Sequence, residues 1–125
     1  MKVIIAGGRD FDNFRLLSTK VNSILCEITS DIEIVCGCAK GADDLGRKYA
    51  KNLGYKIKEF PADWDAHGKF AGVKRNREMA EYADALIAFW DGKSKGTKNM
   101  IEEAKKRGLK VRVIKYLLKS INYER

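Results

Sequence analysis

Strand-like runs alternate with longer amphipathic stretches from one end of this chain to the other, and that alternation limits its possible folds more than any other feature. Neighbouring parallel strands need a crossover between them, and helices provide it while covering the faces of the sheet. Five strands are expected, at Lys2 to Ala6, Glu33 to Cys36, Lys56 to Phe60, Ala85 to Trp90 and Lys110 to Ile114. After the first, Phe14, Leu17, Val21, Ile24, Leu25 and Ile28 fall on one stripe at steps of three and four, as a helix with one buried face requires. Ala42, Leu45, Tyr49 and Leu53 mark a second helix, which Gly54 can stop because glycine tolerates the left-handed conformation of a helix C-terminus. A third helix is expected from about Val73 to Tyr82 and a fourth from Lys98 to Arg107, with Gly108 closing it. The expected fold is therefore α/β, one parallel sheet of about five strands with helices on both faces.

The chain has 125 residues, 45% of them hydrophobic, which suits one core and is too short for two. The domain should occupy residues 1–115 and leave 116–125 as a basic tail. Met1 leads straight into Val3-Ile4-Ile5-Ala6, without the basic start and cleavage site of a signal peptide, and no apolar run reaches the roughly 18 to 20 residues that span a bilayer. A cytoplasmic protein with no membrane partner is expected. The three cysteines, Cys26, Cys36 and Cys38, then default to free thiols. Cys36 and Cys38 are one residue apart rather than two, and His67 is the only histidine, so neither a metal site nor any other cofactor is expected. A net charge of +8 favours anionic ligands or polyanions, although lysine-rich helices are also commonly just solvated.

Ligands of open parallel sheets bind beyond the carboxyl ends of the strands, and three loops there are rich in glycine. They are Gly7-Gly8-Arg9-Asp10, Gly37-Cys38-Ala39-Lys40-Gly41-Ala42-Asp43 and Trp90-Asp91-Gly92-Lys93-Ser94-Lys95-Gly96-Thr97. Glycine lets backbone amides approach an anion, and a following helix N-terminus adds partial positive charge, so phosphate is the natural guest. The alternative is that these glycines merely turn the chain. No loop is a P-loop or a dinucleotide fingerprint, so the signal lies in the ensemble. Asp43 either caps its helix or touches the ligand. Between the third strand and the third helix, Trp64 either folds over a planar group such as a base or plugs the sheet edge.

Taken in order, Gly7-Gly8-Arg9-Asp10-Phe11, Gly37 to Asp43, Pro61-Ala62-Asp63-Trp64, Arg75-Asn76-Arg77-Glu78-Met79 and Ala83 to Trp90 closely resemble the YspA-type, YpsA-related branch of the SLOG superfamily, across residues 1–115. The resemblance implies a Rossmann-like fold that binds nucleotides or nucleotide-derived ligands. It also implies self-association, since the related LOG phosphoribohydrolases and DprA proteins form dimers or larger assemblies. Arg75, Met79, Ala83-Asp84-Ala85 and Gly96-Thr97 match the LOG stretch. Trp90-Asp91-Gly92 stands where LOG enzymes have Pro-Gly-Gly, and Met100 stands where they keep a glutamate; Glu102 and Glu103 lie further along the helix.

The favoured function is therefore a module that senses, sequesters or presents a nucleotide-derived small molecule. Gly7, Gly8, Arg9, Asp10, Gly37, Gly41, Asp43, Arg75, Asn76, Gly92, Ser94, Gly96 and Thr97 form the expected site, with Trp64 or Trp90 against a base. The alternative is an N-glycosidic hydrolase with Arg75 on the phosphate and Asp91 or Asp10 as acid or base. A DprA-like nucleic-acid binder is a third reading, which needs a contiguous basic face.

Overall fold

The computed structural model describes residues 1–116. Its elements follow in the order β1 (Lys2–Gly7), α1 (Phe14–Leu25), β2 (Glu33–Cys36), α2 (Ala42–Leu53), β3 (Lys56–Glu59), α3 (Trp64–His67), a 3-10 turn (Gly68–Phe70), α4 (Ala71–Tyr82), β4 (Ala85–Trp90), α5 (Lys95–Lys106) and β5 (Lys110–Lys115). The five strands form one all-parallel sheet in the order β3-β2-β1-β4-β5. This is the α/β architecture expected from the alternation of strands and helices.

Alternation along each strand decides which helices cover which face. Val3 and Ile5 of β1, Ile34 of β2 and Ile87 and Phe89 of β4 pack with Leu17, Val21 and Leu25 of α1 and Tyr49 and Ala50 of α2. Ile4, Ala6, Val35, Leu86 and Ala88 point the other way and meet Met79 and Ala80 of α4 and Met100, Ile101 and Ala104 of α5. Strands buried on both faces must be apolar throughout, which is why β1 and β4 read as continuous hydrophobic runs while the edge strands β3 and β5 carry lysines.

Several boundaries differ from the expected ones. Helix α1 ends at Leu25, and Ile28 packs on the same core from the turn beyond it. Helix α4 starts at Ala71, two residues early, and α5 at Lys95, three residues early, because Ser94 caps it. Strand β3 stops at Glu59. The segment before α4 is not an open loop: Asp63 caps a single turn by accepting the Ala66 amide at 3.0 Å. Gly54 and Gly108 take the left-handed conformation at their helix ends, as expected. Of the basic tail, Tyr116 is part of the packed domain and 117–125 lie outside the described residues.

Candidate functional site

The chain runs from β1 outward to β2 and β3, then returns to the other side of β1 to add β4 and β5. The loops that follow β1 and β4 therefore diverge, and a crevice must open between them at the carboxyl ends of the strands. A cavity of about 550 Å³ lies there. Gly7, Gly8, Arg9 and Asp10 line it from the β1 side, and Asp91, Ser94, Lys95, Gly96 and Thr97 from the β4 side. Arg75, Asn76 and Met79 of α4 form a third wall, with Asp43 and Trp64 completing the lining.

The N-terminus of α5 is built by a chain of short-range caps. Asp91 Oδ1 accepts the amides of Lys93 and Ser94, both at 2.8 Å, and these bonds hold its carboxyl below the usual range. Ser94 Oγ then accepts the Thr97 amide at 3.3 Å and lies 3.1 Å from the Thr97 hydroxyl, while the Ser94 carbonyl takes the Lys98 amide. Among the described residues the amides of Lys95 and Gly96 have no partner, and both residues line the cavity. A Cβ added at Gly96 would meet nothing within 4 Å, so the approach to these amides is open.

The other glycine loops are organised differently. Asp43 is 5% exposed, and the amides of Ala39, Gly7 and Gly37 all reach its carboxylate. Burial pushes its pKa up to about 6, opposed first by the Arg75 guanidinium and then by those amides. The Gly8 amide goes to the Phe89 carbonyl at 3.1 Å. The amides of Gly7, Gly8 and Gly37 are thus already bonded within the protein, and these glycines serve close packing of loop on loop. A Cβ at Gly7 would stand 2.3 Å from the Phe89 carbonyl oxygen, and one at Gly41 2.2 Å from that of Gly8. Nor does Asp43 cap its own helix: the N-cap of α2 is Gly41, and Asp43 instead ties the β1 and β2 loops together.

Arg75 donates through Nη1 to the Gly37 carbonyl and through Nε to Asn76 Oδ1 at 2.9 Å. Asn76, 6% exposed, donates in turn to Asn99 Oδ1 at 2.9 Å and to the Gly96 carbonyl at 3.3 Å. This network orients the guanidinium beside the start of α5 and leaves three of its five N–H groups for a ligand.

The model of the YspA, cpYpsA-related SLOG family matches residues 1–67, just over half of the chain. The chain belongs to this family. Gene 61 protein of Mycobacterium phage D29 is 34% identical over 116 residues, covering 88% of this SLOG chain and 93% of the relative. DNA processing protein A (DprA) from Streptococcus pneumoniae superposes with a TM-score of 0.71 at 20% identity, over 94% of this chain. The chain spans about half, 51%, of that DprA chain, and the likeness is one of fold.

The cavity does not gather every residue expected in the site. Gly37, Gly41 and Gly92 do not line it, although Gly37 lines a second, adjoining cavity. Trp90 stays out as well: its Nε1 donates to the Ser94 carbonyl at 3.0 Å, and Lys115 lies over its ring. Trp64 is 50% exposed at the cavity wall, so it does not plug the sheet edge. Met100 lines the cavity, whereas Glu102 is exposed and Glu103 is paired with Arg107 on α5. Two contributors were not expected. Asn99 anchors Asn76, and Tyr116 donates to Asp10 Oδ1 at 2.9 Å while its ring packs edge-on against Phe11. Among the described residues no three His, Cys, Asp or Glu side chains group for a metal ion, and no helix is long and apolar enough to cross a membrane.

Proposed function

We propose that the crevice binds a nucleotide-derived small molecule and holds it without cleaving it. The observation that carries this reading is the pair of unpartnered amides at Lys95 and Gly96, opening beside the oriented Arg75 guanidinium. A helix N-terminus and a forked cation together match a phosphate in charge and in hydrogen-bond geometry. Trp64 supplies an exposed aromatic face for a base in the same cavity, whose volume falls within the range of small-molecule sites. Cleavage of an N-glycosidic bond needs a proton donor, and the carboxylates at hand suit that role poorly. Asp91 is held ionised by two amides, Asp10 is tied to the Tyr116 hydroxyl, Asp43 has a raised pKa of about 6 but is 5% exposed and engaged by its own loops, and Met100 cannot exchange protons.

Calorimetric titration with the four ribonucleoside 5′-monophosphates tests the reading. At least one should bind; Arg75→Ala should weaken it by about 1.5 to 3 kcal/mol, the range for a hydrogen bond to a charged group, and Gly96→Val should weaken it by placing a side chain in the open approach to the amides. Unchanged affinity in both folded variants would place the site elsewhere. Release of free base should be absent or slow, and rapid turnover would reinstate the hydrolase. The same reading includes self-association, for which Phe70 and Val73, exposed by 65% and 39%, offer apolar surface. Light scattering at a concentration on the order of tens of micromolar should give more than the monomer mass.

A further inference from the structure

We propose that the crevice continues past Arg9, Trp64 and Arg75 into a second anion seat, so that the ligand is a nucleoside carrying phosphates at two separate positions of its ribose. This rests on the nucleotide reading of the first cavity and narrows it.

A second cavity, of about 440 Å³, adjoins the first and shares Arg9, Ala39, Trp64 and Arg75 with it. Its own walls are the β2–α2 loop from Gly37 to Lys40 and the apolar pair Pro61 and Ala62. Its charge is one-sided. Arg9, Lys40 and Arg75 take part in no ion pair among the described residues, as holds for most of the chain's cations, and what sets them apart is that all three line one hollow without a carboxylate in its lining. Of the nearby carboxylates, Asp43 is enclosed by three amides and Glu59 accepts from the Cys38 thiol at 3.1 Å. Arg9 and Lys40, beside an Arg75 whose charge is shared with Asp43, leave a local field that an anionic group relieves.

The way an anion is held here differs from the first seat. The amides of Gly37 and Ala39 face the buried Asp43 carboxylate. Recognition falls chiefly to the long side chains of Arg9 and Lys40. Trp64 borders both cavities. A nucleoside lying against it has the amides of α5 on one side and Lys40 on the other. Two phosphates in a row, as in a nucleoside diphosphate, would both crowd the first seat, whereas phosphates on the 5′ and 3′ oxygens leave the ribose in different directions and reach one seat each.

The test compares each ribonucleoside 5′-monophosphate with its 5′-diphosphate and its 3′,5′-bisphosphate by calorimetry on the full chain. For the base that binds, the bisphosphate should be tighter than the monophosphate by about tenfold or more, the return of one charge-assisted hydrogen bond. The diphosphate should gain no more than a few-fold. Lys40 lines only the second cavity and is exposed, so Lys40→Ala should fold and should erase most of the bisphosphate's advantage. Equal affinity for monophosphate and bisphosphate, or an advantage that survives Lys40→Ala, overturns the second seat while leaving the nucleotide site standing. Binding of none of these probes overturns both.

Discussion

Asp43 concentrates the physical tension of the site in one side chain. Its pKa of about 6 lies above the roughly 3.9 of an unfolded aspartate, so between these values the folded chain holds more protons than the unfolded one. Its contribution is then fully present below about pH 4 and is lost as pH rises through 6, a difference of about 3 kcal/mol. The groups facing it are Arg75 from α4, the thiol of Cys36 from the end of β2 and that of Cys38 from the loop between β2 and α2. Urea midpoints of the wild type should fall between pH 4.5 and 6.5 more steeply than those of Asp43→Asn, and parallel profiles would assign the titration to another group. Two glycines that look alike in the sequence should also part company. Gly7→Ala forces a Cβ against the Phe89 carbonyl and should cost about 1 to 3 kcal/mol. Gly96→Ala meets nothing and should stabilise α5 by up to about 1 kcal/mol. Chemical denaturation of the two variants checks both signs. The sequence shows that both positions are glycine; it does not show what each would collide with.

At the scale of elements, the start of α5 illustrates what pattern alone can reach. Periodicity pointed to Lys98 because Gly96 is a poor helix former, but the Asp91 turn and the Ser94 cap begin the helix at Lys95 and so place two free amides in the cavity. Ser94→Ala should cost about 1 kcal/mol in thermal or urea unfolding. It should also weaken nucleotide binding, because the freed first turn no longer presents its amides in register. No loss of either kind would mean that the Asp91 turn suffices alone. Tyr116 was assigned to the tail since nothing local marks it as structural. Its hydroxyl closes on Asp10, and a Cβ at Gly8 would sit 2.1 Å from that hydroxyl oxygen, so the glycine leaves the tyrosine room for this position. Tyr116→Phe removes the bond and should destabilise the domain by about 1 kcal/mol.

For the molecule as a whole, one sheet separates two cores, that of α1 and α2 from that of α4 and α5, and every central strand contributes to both. Unfolding should be one cooperative transition. Far-ultraviolet dichroism and the fluorescence of Trp64 and Trp90 should share a urea midpoint, and separated midpoints would mean that the faces melt independently. The strand-helix alternation, the apolar character of β1 and β4 and the glycine-rich strand ends were all legible in the sequence, because burial on two faces and crossover geometry write themselves into local composition. The order β3-β2-β1-β4-β5, the crevice where it reverses, the binding of loop amides by Asp43 and the orientation of Arg75 by Asn76 were decided only in three dimensions. Each depends on contacts between segments distant in sequence, as when Arg75 reaches Gly37 and Asn76 reaches Asn99, and a chain read one residue at a time carries no record of that partner.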